Sequence, residues 1–254
     1  MTYSADLKLN KKVERIISQL THLKNNNRYL GCFIFGSVAR GEFTDGSDID
    51  VIIYVKGRSC GQINHPTIEG IKLDISFYNH KKILELIKEQ DEKRKRIPMI
   101  AESIILFDKS GEIKEWQNKS KLLEPKVLKE KEWPFSYYLI YNENIKVKRY
   151  LKTKPEIALT VMHTCLTDLI KTHYQINHKW YVGNKRLLDD LSKWDPPLAQ
   201  AFKSFIMSFN LKEKEKHWDN IVSCLLKPFG NPKKLEEKNC NCQICQKDLV
   251  NLLI

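Results

Sequence analysis

Three aspartates and a glycine-serine pair are the residues best suited to do chemistry in this 254-residue chain. Asp48 and Asp50 open an apolar run, Asp48 to Val55. Side chains alternate along a strand, so the two carboxylates share one face while Ile49, Val51 and Ile53 share the other and enter a core. Carboxylates side by side repel unless a cation lies between them. An oxygen-only donor set with no nearby His or Cys selects a hard divalent ion, Mg2+ or Mn2+. A third aspartate, Asp74, stands in Gly70 to Tyr78, where Leu73, Ile75 and Phe77 form the apolar side and Lys72, Asp74 and Ser76 the polar one. Eleven residues before Asp48, Gly36-Ser37 ends a short apolar run, Leu30 to Phe35. Gly36 permits a tight turn and close approach of a ligand. Ser37 brings a hydroxyl to the start of a short helix, where free N–H groups favour phosphate. A metal site facing a phosphate site suits phosphoryl or nucleotidyl transfer, in which the protein positions groups and neutralises charge. The bland alternatives are a strand-turn-strand with a solvated acidic end and, for Asp74, an exposed strand residue.

The elements that must position these residues are legible around them. Val13, Ile16, Ile17, Leu20 and Leu23 recur at helical spacing and predict an amphipathic helix that ends near Asn25 to Asn27 and covers one sheet face. Lys56 to Asn64 reads as a loop or hairpin connection. Asn79 reads as the N-cap of a helix carrying Ile83, Leu84, Leu86 and Ile87 and ending in Lys93-Arg94-Lys95-Arg96, a basic run best explained as a solvated helix end. Ser103 to Phe107 is the last strand, closed by the turn Asp108-Lys109-Ser110-Gly111.

Gly36-Ser37, then Gly41 after a three-residue gap, then Ser47-Asp48-Ile49-Asp50 resembles the G-S-x-x-x-G-x-x-x-x-x-S-D-x-D signature of the polymerase-beta-like nucleotidyltransferase superfamily. The resemblance covers about the first hundred residues. It implies an α/β fold whose N-terminal nucleotidyltransferase core, a mixed sheet with flanking helices, occupies residues 1–115. It implies transfer of a nucleoside monophosphate, AMP from ATP, to a hydroxyl of a small-molecule acceptor of the antibiotic type, with release of pyrophosphate. Asp48, Asp50 and Asp74 become the catalytic and metal-holding residues for Mg2+ or Mn2+, with Asp74 completing the metal site or acting as general base. Gly36, Ser37 and Ser47 become nucleotide-binding positions.

From about Trp116 the pattern turns helical, and residues 116–230 are expected to form an all-α bundle that closes over the site. Gln117 to Lys131 reads as a linker or a first surface helix. Trp133 to Lys152 carries an aromatic stripe with Tyr137, Tyr138, Tyr141 and Tyr150, expected to be core. Pro155 starts a helix buried through Ile157, Val161, Cys165, Leu169 and Ile170; Pro196-Pro197 starts another, and a last one stops at Pro228-Phe229-Gly230. Lys185, after Gly183, matches the position where small-substrate nucleotidyltransferases place a lysine at a helix head, which implies a contact to the triphosphate. Glu143 and Glu102 are candidates to line an acceptor pocket. The resemblance also makes a homodimer an expectation.

Composition bounds the rest. A net charge of +12 fits a soluble lysine-rich surface as well as a basic face for anions or nucleic acid. It is an awkward host for a cationic aminoglycoside, which keeps an RNA-directed nucleotidyltransferase and an adenylyltransferase acting on a partner protein as alternatives. No Arg-x-x-x-x-His pair of a helical ribonuclease occurs in the helical half. No signal-peptide hydrophobic region and no long apolar run is present, so membrane insertion is not expected and the chain is read as cytoplasmic. Seven cysteines, an odd count, fit reduced thiols. Cys240, Cys242 and Cys245 in a 231–254 tail are candidate zinc ligands only if a fourth group joins them.

Overall fold

The computed structural model describes residues 3–60, 66–129 and 132–230. The chain forms two compact units, residues 1–124 and 125–254. The candidate zinc ligands Cys240, Cys242 and Cys245 lie outside the described residues.

The first unit is built on a mixed five-stranded sheet: β1 (Tyr29–Phe35), β2 (Ile49–Val55), β3 (Thr67–Ile68), β4 (Ile71–Tyr78) and β5 (Ile104–Asp108), in the order β3-β4-β2-β1-β5. β1 runs antiparallel to β2 and β5, β2 runs parallel to β4, and β3 pairs antiparallel with β4. The three predicted strands around the acidic residues and the one before Asp108 are present within a residue or so. β3 was not anticipated, because two residues are too few to show a period.

Both sheet faces are covered. Helix α1 (Tyr3–His22) lays Val13, Ile16 and Leu20 on Cys32, Ile34, Ile49, Val51, Ile53 and Leu73. The opposite face packs Phe33, Ile52 and Tyr54 against Ile83 of α3 (His80–Lys93) and Ile113 and Trp116 of α4 (Glu112–Lys121). β2 is therefore buried on both sides, each of its large side chains contributing about 1.5–3 kcal/mol. Of Gln117 to Lys131, expected to be a linker or first surface helix, residues 117–121 belong instead to a packed helix, while residues 122–129 form no helix or strand. α4 begins earlier and buries Ile113, Trp116, Gln117 and Ser120. Gln117 hides its amide by donating to the Ser103 carbonyl at 2.7 Å, so a polar residue on the inner face escaped the apolar count. Asp108 starts this helix, its carboxylate accepting from the N–H groups of Gly111 at 2.9 Å and Lys114 at 3.0 Å.

Among the described residues the regular elements of the second unit are helices, chiefly α5 (Trp133–Leu151), α6 (Pro155–Ile176), α7 (Leu187–Trp194), α8 (Pro196–Met207) and α9 (Leu211–Leu226). Proline opens α6 and α8, where a missing N–H costs nothing. Its core gathers Ile140, Met162, Ile170, Tyr174, Leu191, Phe205, Trp218 and Leu225. The polar atoms that aromatic rings carry inside are matched: Trp218 Nε1 donates to Asn144 at 3.0 Å, and the Tyr174 hydroxyl to Asp190 at 2.7 Å. The aromatic stripe of α5 is only half core. Trp133 and Tyr137 pack inward, whereas Phe135, Tyr138 and Tyr141 stay exposed. No helix among the described residues is long and apolar enough to cross a membrane.

Candidate active site

The parallel pairing of β2 and β4 brings the carboxylates together. Asp50 lies directly opposite Asp74 in the ladder, as Ile49 lies opposite Leu73. Asp48 sits one residue ahead of β2. One oxygen from each of Asp48, Asp50 and Asp74 falls within 4.8 Å of the other two, and all three side chains are half-buried. Asp50 and Asp74 share the sheet face of Ile52 and Tyr54, at the end where that core gives way to the surface.

The other neighbour of β2 supplies the turn. β1 ends at Phe35, opposite Asp50, and the backbone passes directly into α2 (Gly36–Ala39). Gly36 adopts φ +73°, and a Cβ built there would stand 1.9 Å from Asp50 Oδ2. No side chain fits between this backbone and the carboxylate. Glycine is required here on two counts, conformation and space. Ser37 is the second residue of α2 and half-buried. Its carbonyl accepts from the Glu42 N–H at 2.8 Å, which closes the loop back toward Gly41.

The remaining predicted positions are arranged as follows. The Ser47 hydroxyl accepts from the Thr44 N–H at 3.2 Å and pairs with the Thr44 hydroxyl at 3.1 Å, so it shapes the loop that delivers Asp48. Lys185 lies exposed on a short 3-10 turn, Asn184–Arg186, in the second unit, behind Gly183 at φ +87°. Glu143, also in the second unit, pairs with Lys146 at 2.6 Å. Glu102 holds Arg40 Nη1 at 3.6 Å.

Arg40 was missed in the sequence because it occupies a variable place of the signature. It caps α2, and its Nε donates to Glu42 at 2.8 Å. The pairing of Ile34 with Ile104 puts Glu102, and with it the guanidinium, at the same sheet end as Gly36.

Three oxygen donors converging within 4.8 Å, at a backbone shaped to leave Asp50 room, fit a hard divalent cation. Residues 17–112 match the family described as "Polymerase beta, Nucleotidyltransferase". These residues are a polymerase beta nucleotidyltransferase domain. The matched stretch runs from within α1 to the start of α4 and includes the whole sheet and all three aspartates. No curated protein sequence matches the chain. Among the solved structures that match is a nucleotidyltransferase-like protein from Exiguobacterium sibiricum 255-15, with 11% identity and a TM-score of 0.44, covering 91% of this chain and 75% of that one. So distant a likeness assigns no substrate to the nucleotidyltransferase domain.

Proposed function

We propose that the protein transfers a nucleoside monophosphate, AMP from ATP, to a hydroxyl of a small-molecule acceptor and releases pyrophosphate, in a cytoplasmic setting. The observation that carries the reading is the convergence of Asp48, Asp50 and Asp74 beside the glycine turn. In this reading Asp48 and Asp50 hold Mg2+ or Mn2+, and Asp74 shares that duty or takes the proton of the acceptor hydroxyl. A divalent ion bound there supplies neutralisation of the triphosphate and lowers the pKa of the acceptor hydroxyl. Gly36 and Ser37 offer backbone N–H groups and a hydroxyl to the phosphates, and Arg40 adds a cation at the same sheet end.

The experiment is incubation with each labelled nucleoside triphosphate and Mg2+, together with separate small-molecule, RNA and protein fractions. Label in the small-molecule fraction, from ATP above the other nucleotides, is the expected result. Asp50→Asn and Asp74→Asn should each cut incorporation by about 100-fold or more with the far-ultraviolet spectrum unchanged. Near wild-type turnover in both variants sinks the assignment. The net charge of +12 favours RNA as a second acceptor class. Label in the RNA fraction, with binding that weakens steeply as salt rises, would select it.

A further inference from the structure

The two ends of the sheet in the first unit carry opposite kinds of charge. β2 holds Asp50 near its start and finishes at Val55, roughly 17 Å further on at roughly 3.3 Å per residue. At that far end β4 and β2 stop beside the beginning of β1 and the end of β5, since Tyr78 pairs with Tyr54, Val55 with Tyr29 and Asp108 with Gly31. Each of the four strands places a cation just beyond this end: Lys81 after β4, Lys56 after β2, Arg28 before β1 and Lys109 after β5.

Backbone bonds hold these positions side by side. The Lys56 N–H donates to the Arg28 carbonyl at 2.9 Å and the Lys109 N–H to the Leu30 carbonyl at 2.8 Å, while Lys109 Nζ donates to the Asn26 carbonyl at 2.9 Å. Asn79, two residues before Lys81, donates to the Gly57 carbonyl at 2.9 Å. Lys24, in the turn that Asn26 closes, and Arg58, next to Gly57, add two more charges, and all six cations are exposed. The carboxylates beside them are engaged. Asp108 accepts from the Gly111 and Lys114 N–H groups, Glu112 from the Tyr54 hydroxyl at 2.7 Å, and Glu85 pairs with Lys82 at 3.5 Å. Among the described residues none of the six cations has a carboxylate partner.

Four cations spaced by one strand interval, roughly 4.8 Å, make a row roughly 14 Å long. That is the length of about four nucleotides of a strand at roughly 3.4 Å each. A ring stands at the Lys81 end of the row. The His80 side chain is 52% exposed, yet its Nδ1 is held 3.1 Å from Glu112 and 3.3 Å from the Tyr54 hydroxyl. A fixed, exposed ring beside a line of cations suits a single strand, which sets phosphates on the charges and a base on the ring. A lipid surface suits it less, because residues 23–28, 56–60, 79–82 and 108–112 expose no large apolar side chain to enter a membrane.

We propose that this end of the sheet binds single-stranded polynucleotide, with Lys24, Arg28, Lys56, Arg58, Lys81 and Lys109 on the phosphates and the His80 ring on a base. The surface goes beyond the transfer reaction: it lies at the opposite end of β2 from Asp50, so strand binding and turnover are separate properties.

The test is fluorescence anisotropy of the full chain with labelled 20-mers of oligouridylate and oligothymidylate as salt is raised. Both strands should bind, and the logarithm of affinity should fall against that of salt with a slope of about −4, at about 0.7 per phosphate neutralised. Arg28→Ala with Lys56→Ala should flatten the slope by about 1.4, whereas Lys212→Ala with Lys216→Ala, which takes the same charge from α9, should leave it unchanged. His80→Ala should weaken binding of oligouridylate about tenfold or more while leaving an abasic 20-mer unaffected, and His80→Phe, which keeps a ring, should retain the affinity. Asp50→Asn should bind the 20-mers as the wild type does, so that failure of the catalytic reading and failure of this one are read apart. A slope near zero, equal losses in the two charge-matched pairs, an equal effect of His80→Ala on the abasic strand, or displacement of the strand by phosphatidylserine vesicles overturns the proposal.

Discussion

Asp50 is the residue on which the most constraints meet. Its neighbours in the sheet are Phe35, the last residue before the glycine turn, and Asp74, the third carboxylate. Moving that side chain by an ångström disturbs both. Gly36→Ala is the sharpest way to do so without touching an acid. The new methyl group would meet Asp50 Oδ2, and the backbone would pay about 1–2 kcal/mol to keep its positive φ. We expect Gly36→Ala to lose about 100-fold or more in nucleotidyl transfer while its secondary structure persists. Isothermal titration with Mn2+ should show weakened metal binding. Wild-type metal affinity in this variant would mean that Gly36 does not guard the carboxylate. Burial pushes the thiols of buried Cys32 and half-buried Cys165 up to about 12, so both stay protonated at neutral pH.

At the scale of elements, α3 illustrates how local signals and tertiary ties combine. Asn79 caps it by accepting from the Lys82 N–H at 3.0 Å, and the same side chain donates to the Gly57 carbonyl at 2.9 Å, pinning the helix start to the loop after β2. Asn79→Ala removes both bonds. A loss of about 1–2 kcal/mol in urea unfolding is expected, with nucleotidyl transfer retained, since Asn79 follows the last residue of β4, five positions along the chain from Asp74. The cap was legible because it lies within four residues of its target. The tie to Gly57 was not, because it depends on how β2 and β4 sit side by side.

The scale of the whole molecule is where protonation matters. His173 is almost fully buried in the second unit, stacked on Trp194 at 5.4 Å, with Nε2 2.8 Å from Asp195 and Asn177 alongside. Burial holds its imidazole below the usual histidine range, outweighing the favourable carboxylate. His163, largely exposed beside Phe205, is shifted the same way by partial desolvation and then by the Lys214 cation. The unfolded chain therefore takes up protons that the folded one refuses. Stability is full above about pH 6.5 and falls as the pH drops below it. The melting temperature should be lower at pH 5.5 than at pH 7.5, and His173→Gln should flatten that dependence. An unaltered slope in His173→Gln would show that other groups govern acid unfolding.

Read by itself, the sequence determined the phase and the punctuation of this protein. Strand geometry has a period of two whatever the surroundings, so Asp48 and Asp50 had to share a face, as did Lys72, Asp74 and Ser76. Caps and prolines act within one helical turn, so the starts of α3, α6 and α8 were readable too. The tertiary structure alone decided which strands became neighbours, and so that Asp74 would stand opposite Asp50 across 24 positions of chain. It alone placed α4 against the sheet and left half of the α5 aromatics facing outward. Those outcomes rest on contacts between segments distant in sequence, where apolar character says that a residue seeks cover but not what will provide it.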